Sequence, residues 1–388
     1  MKILTITGTR PELIRLSLII KKLDELTDHV LVYTNQNYDP NLSTIFFEEL
    51  NIRQPDYYFG QPQKPKNEFL DSSLTEIERE IINSDPSFER TIEKPKGTFG
   101  KFFSESIIKF EEIIFKEKPD KILILGDTNS GLLSIVAEKH NIPIFHMEAG
   151  NRCYDKRVPE EANRRIIDSI SKYNLPYTEN SKQNLLNEGY HKNFVFKTGN
   201  PIFEVLTYNS SKIDNSLILS ELGIDKEKYI LCTLHRSENV DDFNTLRNII
   251  LAFNEISNTL PIILPLHPRT KNKIDVFNLS LSEDIIVTNP LGFFDFVKLE
   301  KNAKIVISDS GTVQEECCIF GVPSLTIRES TERQETIECG SNILCGTKER
   351  DIIEAFNVVM KRKNKWYVPD DYLVENVSDT VINILVGK

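Results

Sequence analysis

Short β-rich runs alternate with longer amphipathic segments along the whole chain, and this alternation limits the possible folds more than any other feature. In the first half the strand candidates are KILTITG from Lys2, HVLVYT from His29, KILILG from Lys121, PIFHME from Pro143, YNLPYT from Tyr173 and FVFKTG from Phe194. The second half repeats the pattern with YILCTLH from Tyr229, PIILPLH from Pro261, IIVTN from Ile285, KIVIS from Lys304, PSLTIR from Pro323 and NILCG from Asn342. Apolar strands separated by helix-length segments belong in parallel sheets covered on both faces. At 388 residues the chain is long enough for two such α/β units, each with its own core. Asn200-Pro201 and the run NSSKIDNS mark a break between Gly199 and Asn215. The expected domains are therefore residues 1–205 and 206–370, with 371–388 as a closing segment whose helix covers Val377 to Val386. One stretch, about 61–102, breaks the alternation: it is charged, proline-spaced and holds only a short helix candidate from Leu74 to Asn83, so it reads as a loop or lid.

The charge balance narrows the partners. A formal net charge of -11 offers no basic face for nucleic acid or an anionic membrane surface. The N-terminal MKILTITGTR runs straight into a strand without an apolar signal core, and no apolar run approaches a membrane span, so the expected location is cytoplasmic. The six cysteines form no CxxC pair and read as reduced packing residues, with Cys153 in a more polar setting. No histidine sits in a zinc-binding spacing, so no metal is expected.

Ligands of open α/β sheets bind beyond the C-terminal ends of the strands, and the unusual polar clusters fall there. Gly8-Thr9-Arg10-Pro11-Glu12 follows the first strand, Thr34 to Asp39 the second and Gly126-Asp127-Thr128-Asn129 the third. The fourth ends in His146 to Arg152, leading to Arg157 to Arg165. In the second half His235 to Asn239, His267-Pro268-Arg269 and the unit from Asp309 to Glu335 take the same place. That last unit joins a glycine turn to a helix start whose backbone N–H groups, with Ser310 and Thr312, suit an anion; Arg328 and Arg333 then stand beside the same crevice. The first turn lacks GxGxxG and the chain lacks a P-loop lysine, so neither NAD nor ATP chemistry is indicated and no cofactor is expected. Each cluster also has a plainer structural use: Asp127 could cap a helix, His235 could be a hydrogen-bonded structural residue, and Glu160 with Glu161 could complement a helix dipole.

Taken together, GTRPE (8–12), GDTNS (126–130), HMEAGNR (146–152), PEEANRR (159–165), TGNP (198–201), HRSEN (235–239), DSGTVQEE (309–316) and RESTER (328–333) closely resemble the UDP-N-acetylglucosamine 2-epimerase family. The match runs in order over nearly the whole chain outside 61–102. It implies two Rossmann-like doubly wound domains facing a cleft, the GT-B architecture. It also implies interconversion of UDP-GlcNAc and UDP-ManNAc without a redox cofactor, in a homodimer. By the same resemblance Arg10, Arg15, Arg152, Ser310, Gly311, Glu316 and Arg333 would hold the UDP-sugar, with Phe296 near the uracil. Asp127, Glu148 and Glu160 would be the acid/base carboxylates, and His235 would act at the departing diphosphate. Some positions depart from the family pattern. Arg15 replaces a common lysine, DSGT replaces DSGG, TERQE replaces TERPE, and NQNYD at 35–39 replaces a stretch tied to allosteric control in bacterial members. NQNYD with NRCYDKRVPEE resembles a branch that epimerises a UDP-linked 2-acetamido-2,6-dideoxy-L-hexose to UDP-N-acetyl-L-fucosamine. A hydrolysing epimerase, a glycosyltransferase and a non-catalytic nucleotide-sugar sensor complete the alternatives.

Overall fold

A computed structural model describes residues 1–35, 40–59 and 99–388. The first sheet contains β1 (Lys2–Thr7), β2 (Asp28–Tyr33), β3 (Tyr57–Tyr58), β4 (Lys121–Leu125), β5 (Ile144–Met147) and β6 (Tyr173–Leu175), in the order β3-β2-β1-β4-β5-β6. The second contains β7 (Ile230–Thr233), β8 (Ile262–Pro265), β9 (Ile285–Thr288), β10 (Ile305–Ser308), β11 (Ser324–Thr326) and β12 (Asn342–Leu344), in the order β12-β11-β10-β7-β8-β9. Every pairing in both is parallel. In each sheet the chain starts at the centre, builds out to one edge, returns to the starting strand and builds out to the other edge. The reversal points, β1 beside β4 and β7 beside β10, open a crevice at the C-terminal strand ends.

Helices cover the sheets through apolar stripes. Arg10–Leu26 begins with Pro11 in its first turn and a reciprocal Thr9–Glu12 cap, and buries Leu13, Leu16, Ile20 and Leu23 at helical spacing. The helix Val377–Gly387 lays Val377, Val381, Ile382 and Leu385 into the same core and touches Arg10–Leu26, so the chain returns to the first half after completing the second sheet. Three short helices, Ile202–Tyr208, Ser210–Asp214 and Ile218–Glu221, bridge the two sheets around the expected break. No described helix is long and apolar enough to cross a membrane.

Two strand expectations are corrected. FVFKTG forms no ladder strand; only Val195 bridges to Asn174. Phe196 and Thr198 still donate their N–H groups to the carbonyls of Asn174 and Pro176, at 2.9 and 3.0 Å. The reciprocal bond would have to come from Pro176, which has no N–H, and the ladder stops. Conversely, the two-residue edge strand β3 pairs with β2 and is too short for any periodicity to announce it. Residues 60–98, most of the expected loop or lid, lie outside the described residues, as do residues 36–39 of NQNYD. Phe99–Phe102, at the end of the expected loop, instead open the helix Phe99–Glu117.

Candidate active site

Glu148 follows β5 and takes a left-handed backbone with φ at 63°, a conformation that costs a residue with a Cβ on the order of 1 kcal/mol or more. The surroundings hold it there: Arg164 donates to its carbonyl at 2.6 Å, while Arg15 and Arg333 donate to its carboxylate at 3.0 and 2.5 Å. Arg164 comes from the helix Pro159–Ile170, where Glu160, Arg164 and Asp168 stand four residues apart and so share a face. The other arm of the Arg164 guanidinium pairs with Asp127, in the turn after β4. One arginine thus joins two of the three expected carboxylates. Glu160 lies farther out, with the Arg236 guanidinium 3.9 Å from its carboxylate.

Glu148 is buried, Asp127 keeps 18% of its side chain exposed, and their charged neighbours separate them further. Burial penalises the ionised form of each. At Glu148 the guanidiniums of Arg333, Arg15 and Arg164 outweigh burial and hold the carboxyl at about 2. At Asp127 burial dominates; Arg164 alone opposes it, and the carboxylates of Glu148 and Glu160 push the same way, so its affinity for a proton is raised. Such a split lets neighbouring carboxyls take different roles.

The turns are held from behind. Glu12 accepts from the N–H groups of Gly8 and Thr9 at 2.5 and 2.9 Å and from the Thr128 hydroxyl at 2.5 Å, tying the turn that carries Arg10 to the one that carries Asp127. His146 sits between the Gly126 carbonyl and Asp168, each at 2.8 Å. Arg152, expected at the ligand, is turned into this supporting layer: it pairs with Asp168 at 2.7 Å and in fork fashion with Glu188 at 2.9 and 2.6 Å, and it does not line the cleft.

Across the crevice Asp309 accepts the N–H groups of His235 and Arg236 at 3.0 and 2.9 Å and the Asn239 amide at 3.3 Å. His235 Nδ1 lies 3.0 Å from the same carboxylate, which leaves Nε2 to face outward. The cleft between the sheets is lined by Arg10, Arg15, His235, Phe296, Ser310 and Glu316 among others, bringing together six expected residues from both halves. Ser310 precedes the helix Gly311–Phe320, and its hydroxyl lies 3.0 Å from that of Thr312. Arg333 packs over Gly311, where a Cβ would lie 3.4 Å from the guanidinium carbon, an ordinary contact.

The two halves are tied directly. Arg15 pairs with Glu315 as well as Glu148, and Arg333 pairs with Glu148 and, at 3.0 Å, with Glu315, closing a buried ring of alternating charge. Arg328, expected beside Arg333 at the crevice, is buried and forked onto Glu332 at 3.1 Å on both arms. Arg164, Asp309 and Glu315 are site residues that the sequence does not single out. The i, i+4 step from Glu160 could have found Arg164; nothing local distinguishes Glu315.

Two doubly wound sheets facing a cleft define the GT-B architecture. The crystal structure of Methanocaldococcus jannaschii UDP-GlcNAc 2-epimerase in complex with UDP-GlcNAc and UDP superposes on this chain with a TM-score of 0.86 at 36% identity, covering 100% of both chains. The family model for UDP-N-acetylglucosamine 2-epimerase matches residues 70–386. The chain belongs to the UDP-N-acetylglucosamine 2-epimerase family and is an isomerase of that type. It is 38% identical over 380 residues to the UDP-N-acetylglucosamine 2-epimerase of M. jannaschii, covering 95% of each. It is 34% identical over 361 residues to the UDP-2,3-diacetamido-2,3-dideoxy-D-glucuronate 2-epimerase of Pseudomonas aeruginosa, covering 92% of this chain and 91% of that one.

Proposed function

We propose that this enzyme is a non-hydrolysing UDP-N-acetylhexosamine 2-epimerase that interconverts UDP-GlcNAc and UDP-ManNAc. The observation that carries the reading is the pair Asp127 and Glu148, bridged by Arg164 and oppositely shifted, beside a cleft equipped for a nucleotide diphosphate. The C2 hydrogen of an N-acetylhexosamine is not adjacent to a carbonyl, so a carboxylate cannot remove it unaided. It becomes acidic as the C1–O bond to UDP stretches and positive charge develops at C1. A carboxylate then takes the C2 proton, the C–H electron pair forms the C1–C2 double bond, and the C1–O pair leaves on UDP. Delivery of a proton to the opposite face of C2 and return of the UDP oxygen to C1 give the epimer with no net redox change.

Within this reading Asp127 and Glu160 exchange protons, because Asp127 has the raised affinity for one. Glu148, kept ionised, stabilises the positive charge that develops at C1. Arg10, His235 and the start of the helix Gly311–Phe320 stabilise the departing diphosphate. Phe296 offers the uracil an apolar face. The product would supply surface polysaccharide synthesis from the cytoplasm, and the enzyme would act as a homodimer, which size-exclusion chromatography with light scattering checks.

Incubation with UDP-GlcNAc in D2O, followed by NMR, tests the reaction. Deuterium at C2 with UDP still attached is the expected result, and Asp127→Asn should slow this exchange by roughly 100-fold or more. Stoichiometric free UDP and ManNAc would instead select a hydrolysing enzyme. The Pseudomonas relative is named for a different 2-acetamido sugar, so exchange with a UDP-linked diacetamido uronate or 6-deoxy-L-hexose, but none with UDP-GlcNAc, would reassign the substrate.

A further inference from the structure

Behind the nucleotide cleft lies a carboxyl group that the chemistry above does not use. Glu300 is fully buried on the helix Phe293–Asn302, one turn beyond Phe296, whose ring lines the cleft. One of its oxygens accepts the Cys317 thiol at 3.3 Å. The other, Oε2, has no hydrogen-bond partner, and the ionisable group that acts on this carboxyl is Glu316. Glu316 in turn lines the cleft from the helix Gly311–Phe320.

Two carboxylates in a dry site repel, and an acceptor facing an acceptor makes no bond. One proton resolves both difficulties. It belongs on the inner group, which has no access to water, while the outer group faces the cleft and the Arg15 charge. We infer that Glu300 is a positioning residue that remains a neutral acid and donates its O–H to Glu316, so that Glu316 presents an ionised, oriented oxygen to hydroxyl or N–H donors of the bound nucleotide. Burial makes both groups bind a proton more tightly, and Glu316 alone has Arg15 beside it to oppose that. Burial raises Glu300 well above the ordinary carboxyl range with Glu316 adding to the rise, while the Cys317 hydrogen bond opposes it. Glu316 is raised by burial to about 7, with Glu300 and Arg15 pulling down and Glu315 pushing up. A carboxylate in a nucleotide site has no use for phosphate, so its partners must be donors, and in UDP these are the ribose hydroxyls and the uracil N3–H.

The inference rests on the nucleotide reading of the cleft, and the test separates the two. UDP binding is measured by calorimetry for the wild type, Glu300→Gln, Glu300→Met, Glu316→Ala and the Glu300→Met/Glu316→Ala double variant, with thermal midpoints recorded for each. Gln keeps a donor for Glu316 and an acceptor for Cys317, and should hold affinity within about twofold; Met fills similar volume without a donor and should lose about tenfold, the worth of one hydrogen bond to a charged group. In the Glu316→Ala background the Met substitution should have no further effect. Wild-type UDP binding together with an undiminished Met variant, a folded Gln variant as weak as Met, or a Met effect that persists without Glu316 overturns the inference alone. A wild type that binds no UDP overturns the nucleotide reading and this inference with it.

Discussion

At the residue scale, the site works by placing carboxylates against different amounts of positive charge. Asp309 is the clearest case in the second half. Fully buried, it is nonetheless held near 2, against a usual 3.8, by the His235 ring and the N–H groups of His235 and Arg236. A carboxyl whose folded value is depressed stabilises the fold above its unfolded value, and that contribution disappears as pH falls through the folded value. The window is therefore from roughly pH 4 down to 2, and the contribution at neutral pH is about 2 kcal/mol. Asp309→Asn should be less stable than wild type at pH 6 and should show a flatter decline below pH 4, measured as urea midpoints across a pH series. A wild type and variant that decline in parallel would mean that Asp309 is not held in this way.

At the element scale, the strand ends are where sequence and structure agree best. Hydrophobic runs bounded by polar turns announce both sheets, and the polar clusters at their C-terminal ends mark the crevice. What stayed hidden has a local physical reason. Pro176 denies one backbone donor to the FVFKTG segment, and β3 is too short to carry a pattern. Arg152 sits in a motif rich in site residues, yet it is committed to two carboxylates behind the site, Asp168 and Glu188. The turn after β5 depends on Gly150, at φ 77°, whose position leaves no room for a Cβ against the Ser181 carbonyl and Leu185. Gly150→Ala combines a disfavoured backbone with overpacking and should cost about 2–4 kcal/mol. It should also displace Glu148, two residues earlier. Chemical denaturation checks the first effect, and the C2 exchange rate checks the second.

At the scale of the whole molecule, the buried ring of Arg15, Glu148, Arg333 and Glu315 joins the halves through residues as far apart in sequence as 15 and 315. No periodicity reports such a pairing; only the fold brings the two together. Removing one member leaves its partners buried with uncompensated charge, which is more damaging than never having had the ring. Glu315→Gln should therefore lower stability by roughly 3 kcal/mol or more. Because the ring is buried, added salt should restore little of that loss, in contrast to a surface ion pair. Differential scanning calorimetry at low and high salt measures both, and full recovery in high salt would contradict the placement.

The helix Val377–Gly387 packs against Arg10–Leu26, so the first core is completed by residues made only after the entire second sheet. During synthesis on the ribosome, the second sheet, from Ile230 to Leu344, can close from contiguous chain. The earlier-made half must wait with part of its apolar surface uncovered. The nascent first half thus carries an uncovered apolar strip along Arg10–Leu26 until the last helix is made, and that strip is the surface it offers to chaperones in the meantime.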